Sequence, residues 1–176
     1  MSISDENVLL PQRILTMRII LGALIAGCLA FMAVAVVVRQ GMQGAPPDLP
    51  IMTYLSFAFA VVDTAISFFA PDFFIAAERR KMIHGMPLNA PEASNSSADF
   101  VKLIGLYQTR MIISAALIEG CVFFFIIAYL LEGYLYCLFG ALVLLGIMAT
   151  KFPNRDGVER WVEAQRELLQ QERAGI

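Results

Sequence analysis

The chain has 176 residues, of which 59% are hydrophobic and 16% charged, and its formal net charge is −2. A soluble domain averages about 45–50% apolar and about 25% charged residues, and the apolar excess here is gathered into long blocks. The composition therefore predicts an all-α, polytopic membrane protein with the lipid bilayer as its main partner. The charge gives no sign of a nucleic-acid partner.

Four apolar blocks are long enough to cross a bilayer as helices, which takes about 20 residues each. We predict a four-helix transmembrane bundle over residues 14–151, with spans at about 14–38, 51–77, 107–131 and 134–151. The first block is too long for the core of a signal peptide and follows acidic residues, so we interpret it as an uncleaved anchor.

The basic residues predict the orientation of these spans. All 13 Lys and Arg residues except Arg39 lie in or near an N-terminal segment (1–13), a central linker (78–106) or a tail (152–176). Because basic residues stay on the cytoplasmic side, both termini and the linker are expected there, in a membrane of the bacterial inner-membrane type. Turn formers and small polar residues in the linker predict a mobile segment.

The tail predicts a cytoplasmic amphipathic helix over about 156–173. Its apolar residues follow a helical stripe, and its opposite face mixes Glu and Arg. A charge-balanced polar face favours a protein partner or a second copy of the chain, whereas a helix lying on lipid usually has a basic face. A solvated helix resting on the membrane surface is the alternative interpretation.

Two carboxylates, Asp63 and Glu119, lie near the middle of the second and third spans. A carboxylate at that depth is costly, so it usually faces a helix bundle, a partner or a water path. Small and polar residues recur at helical spacing around Asp63, so we predict that the two carboxylates pair across neighbouring helices, with the first helix as the other inward neighbour of Glu119. Such a pair is either a structural hydrogen bond or a site for a proton or cation.

The same antiparallel register predicts an ion pair between Asp72 and Arg110. Asp72 lies nine residues after Asp63, and Arg110 lies nine residues before Glu119. The two should therefore meet near the cytoplasmic interface, which an Arg side chain can also reach by extending towards water.

Small residues on the first span predict close helix packing. They recur every four positions in two overlapping series, Gly22, Ala26 and Ala30, and Ala23 and Gly27. Such faces let two helix backbones approach, and the neighbour is either in this chain or in another copy.

No residue pattern indicates catalysis, a metal or a cofactor. Cys28, Cys121 and Cys137 all lie within apolar blocks, without a CxxC pair or a nearby histidine. Embedded cysteines of this kind act as small hydrophobic residues. We therefore predict that the protein is not an enzyme and holds neither metal nor cofactor.

Residues 110–131, from Arg110 through Ser114-Ala-Ala-Leu-Ile-Glu-Gly120 to Leu131, resemble the second helix of the rotary ATP synthase proteolipid, subunit c. The resemblance implies an ion-binding role for Glu119 alone. The glycine-rich partner helix of that family is missing, since the second span contains no glycine. We expect a non-enzymatic scaffold or accessory subunit of a membrane complex. The alternative is a proton- or cation-binding module that uses Asp63 and Glu119.

Overall fold

The computed structural model describes residues 3–42, 49–84 and 92–174. Within these ranges the chain is helical, without a strand. The five helices are α1 (Ile3–Gly41), α2 (Ile51–His84), α3 (Glu92–Glu132), α4 (Leu135–Thr150) and α5 (Arg155–Ala174).

Three of these helices contain stretches long and apolar enough to cross a membrane, at Leu10–Gly41, Ile51–Ala77 and Phe100–Glu132. The predicted fourth span corresponds to α4, which has 16 residues. It meets the same criterion only when it is counted together with α5 as one broken span. The chain is thus built like a multi-pass membrane protein, with three or four candidate spans.

The helices extend well beyond their apolar stretches. At about 1.5 Å per residue, the 39, 34 and 41 residues of α1, α2 and α3 reach about 50–60 Å, whereas a hydrocarbon layer is about 30 Å thick. The loop predicted at about 82–99, within the linker 78–106, is therefore helical at residues 82–84 and 92–99. Residues 78–84 continue α2 and residues 92–106 begin α3, while 85–91 lie outside the described residues.

Two features explain why the serine-rich start of α3 is helical. The helix opens with Glu92, and acidic residues are favoured in the first turn of a helix. Further along, Leu103 and Ile104 are buried in an apolar cluster. Burial in that cluster outweighs the local preference of Ser and Asn for turns, because packing contributes most of a helix's stability in proteins.

The chain divides into two compact units, and α1, α2 and α3 contribute residues to both. Unit 1 comprises Met1–Ile19, Ala70–Ile112 and Pro153–Ile176, and unit 2 comprises Ile20–Phe69 and Ile113–Phe152.

In unit 1, α5 packs against the chain itself. Val158 and Val162 are buried with Leu103, and Trp161 makes an edge contact with Tyr107 at a ring-centroid distance of 5.3 Å. The apolar stripe that the sequence offers to a partner is thus largely used within the unit. On its outer side, Arg155 Nε donates to Glu159 Oε1 at 2.8 Å, and this hydrogen bond raises the pKa of Arg155.

In unit 2, the apolar core comes mainly from α1, α3 and α4. Its buried members include Leu21, Cys28, Ile118, Val122, Phe125, Leu144 and Met148. Among the described residues that α2 contributes to this unit, the buried ones all carry a hydroxyl group, namely Thr53, Ser56 and Ser67. Two aromatic contacts add to them, Phe57 on Phe125 and Phe59 on Phe124. Hydrogen bonds therefore have an unusually large share in holding α2 to its neighbours.

The close packing of α3 on α4 depends on Gly140. A Cβ built there would lie 2.8 Å from Phe125 Cε1, inside normal contact distance. Phe125 is only 1% exposed, so its ring has little room to move. We expect Gly140→Ala to destabilise the protein by about 1–3 kcal/mol, the usual range for overpacking a core.

Gly146 provides the matched control for this substitution, because it lies on the same helix and a Cβ there would meet nothing within 4 Å. Gly146→Ala should be neutral or stabilising by up to about 1 kcal/mol, since Ala has the higher helix propensity. Unfolding of both variants in detergent, followed by circular dichroism, measures the difference. Equal free energies of unfolding for the two variants would show that the Phe125 ring moves aside at little cost.

Candidate functional site

The polar residues of α2 form a seam with α3 in unit 2. Ser56 Oγ donates to the carbonyl of Met52 at 2.7 Å and is 3.4 Å from the carbonyl of Phe124. Hydroxyl residues at helical spacing thus point towards the neighbouring helix rather than towards lipid. A polar group in hydrocarbon has no water to bond to, which favours this orientation.

Asp63 lies in this seam, half-buried, and its partner is a thiol. Cys121 Sγ donates to Asp63 Oδ2 at 3.3 Å and also approaches the carbonyl of Phe59 at 3.9 Å. From the sequence, Cys121 was expected to act only as a small hydrophobic residue. Its distance along the chain from Asp63 gave no reason to expect this contact.

Glu119 lies on a different side of α3. Residues two positions apart on a helix differ by about 200° in direction, so the contact of Cys121 with α2 turns Glu119 away from it. Its electrostatic neighbour is Cys28 on α1. No hydrogen bond joins Asp63 and Glu119 in the described part of the chain. The predicted pairing of the two carboxylates is therefore not observed in this part of the chain, although both lie in unit 2.

A second polar cluster of unit 2 forms around the carbonyl of Ser67, one helical turn before a proline of α2. Pro71 has no N–H to donate to the carbonyl of Ser67, four residues earlier. Ser114 Oγ donates to that carbonyl instead, at 3.1 Å. Lys151 Nζ in turn donates to Ser114 Oγ and lies 4.5 Å from the centre of the Phe68 ring.

A serine beside a lysine is also the arrangement of some acyl-transfer enzymes, in which the lysine activates the serine. Two observations favour a structural role here. The hydroxyl hydrogen of Ser114 is directed to the Ser67 carbonyl, and Ser114 is only 5% exposed. A substrate carbonyl would have to displace that hydrogen bond inside the helix interface.

Glu132, the last residue of α3, caps the start of α2. Its carboxylate accepts hydrogen bonds from the backbone N–H of Met52 at 2.6 Å, the N–H of Thr53 at 2.9 Å and the hydroxyl of Thr53 at 2.5 Å. Thr53 Oγ1 is also 3.1 Å from Cys137 Sγ. A carboxylate at a helix N-terminus satisfies free N–H groups and complements the helix dipole.

This role of Glu132 was not predicted from the sequence. One signal was present. Leu49 and Pro50, which precede α2, offer no side-chain acceptor for a cap, and Glu132 ends a neighbouring helix.

The turn after Glu132 is closed by Gly133 and Arg39. Gly133 has φ +78°, a conformation that favours glycine, and its N–H donates to the carbonyl of Tyr129 at 2.8 Å. The guanidinium of Arg39 lies against the Cα of Gly133, and its Nη1 is 3.4 Å from the carbonyl of Leu130. The basic residue thus complements the C-terminal end of the α3 dipole.

In unit 1, the structure brings Asp72 and Arg110 together. Arg110 Nη2 lies 3.0 Å from Asp72 Oδ1, and the side chains are 34% and 60% exposed, respectively. An ion pair so accessible to solvent contributes only about 0–1 kcal/mol to stability.

The small-residue face of α1 has no partner within the described chain. Ala23, Ala26, Gly27 and Ala30 are exposed, and Gly22 is half-buried. A Cβ built at Gly22 or Gly27 would meet nothing within 4 Å. Of the two neighbours that the sequence left open, a helix of the same chain is thus not observed.

No group of three or more His, Cys, Asp or Glu side chains with metal-binding geometry occurs among the described residues. Cys28, Cys121 and Cys137 are buried as free thiols.

Comparisons with protein-family models, with curated proteins and with solved structures give no match to this chain. The resemblance of residues 110–131 to subunit c therefore stays a prediction.

Proposed function

We propose that this protein is a non-enzymatic subunit of a membrane complex, embedded as a four-span bundle in a cell membrane with both termini in the cytoplasm. The apolar helices support the membrane location, and the one-sided distribution of Lys and Arg supports the orientation. In this arrangement unit 2 lies within the bilayer.

The observation that carries the proposal is the outward face of α1. Between Gly22 and Ala30 its exposed residues are small except Leu29, whereas the exposed residues of α2 in unit 2 include the large aromatic residues Tyr54 and Phe69. Lipid chains are contacted equally well by large side chains, but close approach of another helix requires small ones. The α1 face therefore fits a helix of another subunit better than it fits lipid.

The polar contacts of unit 2 support the non-enzymatic part of the proposal. Three polar side chains bond to groups of the same chain. Asp63 accepts a hydrogen bond from the Cys121 thiol, Ser114 donates to the carbonyl of Ser67, and Glu132 accepts from the N-terminus of α2. These bonds join helices to one another, which is the usual use of polar groups in membrane bundles.

Gly27→Leu tests the proposed contact. Filling the small face should separate the subunits, so the species containing this chain in gently solubilised native membranes should shift from the size of a complex towards that of the free chain. Blue-native electrophoresis measures the shift, and at least half of the complex should be lost. Val37→Leu is the matched control, because Val37 is already a large side chain, 70% exposed on the same helix.

The wild-type chain migrating at its own mass in native membranes would contradict the proposal. If the Gly27→Leu variant forms the complex as the wild type does, the small-residue face of α1 is not the contact surface of the complex.

A second candidate function is proton or cation binding at Glu119. One observation favours it, namely that no hydrogen bond or ion pair to this carboxyl group occurs among the described residues. Dicyclohexylcarbodiimide, a reagent that attacks protonated carboxyl groups in apolar surroundings, tests both forms of this function. A cation site requires that added cations slow its reaction with Glu119, and a proton site requires that the reaction slow as pH rises.

A further inference from the structure

We propose that Glu119 is the docking point for a transmembrane helix of a different protein, one that carries a lysine or arginine at the depth of Glu119. This inference rests on the proposed function, since it names the chemistry of a partner subunit.

The first argument is the unsatisfied carboxyl group. Glu119 lies nine residues after Arg110, or about 13 Å along α3, close to the middle of a hydrocarbon layer of about 30 Å. The described residues provide it with no hydrogen-bond donor, and its electrostatic neighbour is the thiol of Cys28. Carboxylates at this depth are usually paired, so the partner is expected outside this chain.

The second argument is the surface beside Glu119. Ala116 and Gly120 are exposed on α3, one turn apart, and a Cβ built at Gly120 would meet nothing within 4 Å. The exposed stripe continues along α3 to Ile127 and Leu131, whereas other sides of the helix are covered, with Phe123 against Phe31 of α1 and Phe124 against Phe59 of α2. A partner helix can therefore approach the backbone of α3 at the level of the carboxyl group.

The third argument concerns the identity of the partner. The chain has no Lys or Arg between Arg18 and Arg39 or between Arg110 and Lys151, and the apolar part of α2 contains none. A second copy of this chain therefore has no cation to place at the depth of Glu119. Charge complementarity at that depth requires another protein.

Reaction with dicyclohexylcarbodiimide, followed by peptide mapping, tests the inference in two samples. One is the native membrane and the other is the purified chain in proteoliposomes, at the same pH. An ionised, paired Glu119 is protected from the reagent, whereas an unpaired, protonated one reacts. We expect at least tenfold slower modification of Glu119 in native membranes than in proteoliposomes.

Gly120→Leu supplies the second measurement, because a large side chain there blocks the approach of the partner helix. In native membranes this variant should react at the rate of the proteoliposomes. Gly146→Leu is the matched control, since Gly146 is also exposed with nothing within 4 Å of a built Cβ, and it should leave the protection intact.

Each other outcome overturns the inference. Equal rates in both samples would show that Glu119 has no partner, and slowing by added cations would then indicate ion binding. Protection in proteoliposomes would point to a second copy. Protection that survives Gly120→Leu would place the partner elsewhere. Equal rates together with a Gly27-sensitive complex would refute only this inference, whereas the absence of any complex would refute the proposed function as well.

Discussion

Glu132→Ala should destabilise the protein by about 3 kcal/mol, more than the removal of any other side-chain carboxyl group that the structure describes. The variant leaves two backbone N–H groups and one hydroxyl group at the start of α2 without their acceptor, and Glu132 is only 5% exposed. A buried donor without a partner costs about 1–3 kcal/mol, partly recovered when water enters the site. Since α2 is held mainly by polar contacts in unit 2, its outer end should loosen first.

Glu132→Gln separates the two contributions to this effect. The amide keeps one carbonyl acceptor and the volume of the side chain but loses the second acceptor oxygen and the charge, so we expect a loss between zero and that of Glu132→Ala. The free energy of unfolding in mixed micelles measures both. Glu163→Ala, at an exposed position of α5, should change it by less than about 0.5 kcal/mol. A Glu132→Ala variant as stable as the wild type would show that α2 needs no cap.

Ser114→Ala should destabilise the protein by about 1–3 kcal/mol, and the loss should shrink when Pro71 is also replaced by alanine. Ser114 donates to the carbonyl of Ser67 because Pro71 cannot. In the Pro71→Ala background, the new N–H of residue 71 can bond to that carbonyl within α2. The serine hydroxyl then becomes partly dispensable.

A double-mutant cycle measures this relationship, with a coupling energy of about 1 kcal/mol expected from the shared acceptor. The control is Thr150→Ala, which removes an exposed hydroxyl group bonded only within its own helix, to the carbonyl of Ile147 at 2.7 Å. Its cost should be small in both backgrounds. Strictly additive effects of Ser114→Ala and Pro71→Ala would show that the serine does not replace the missing N–H.

The relation between α2 and α3 was partly predictable. Placing Asp63 and Glu119 at the same depth predicts that Asp72 lies opposite Arg110. In the structure, Arg110 Nη2 lies 3.0 Å from Asp72 Oδ1. The same reasoning failed for Asp63 and Glu119, because depth follows from residue number but direction around the helix axis does not. The core of unit 2 sets the rotation of α3, and that rotation presents Cys121 to Asp63.

The boundaries of the helices show a related limit. Apolar composition located the spans, since the cost of burying polar groups in hydrocarbon is a property of each residue. The extension of α2 and α3 beyond them depends on polar sequences that form helices only when packed. In unit 1, Leu103 of α3 and Val158 of α5 are buried in one cluster, although 55 positions separate them in the sequence.

The sequence by itself determined the membrane class, the approximate spans and the presence of costly polar groups within them. These properties are sums over local composition, so they do not depend on which helix meets which. Only the tertiary structure decided the partners of those polar groups. Glu132 caps α2, Ser114 completes the hydrogen bond that Pro71 leaves open, and Glu119 faces α1 without a donor. Such pairings depend on helix rotation, which is set by the packing of many side chains at once.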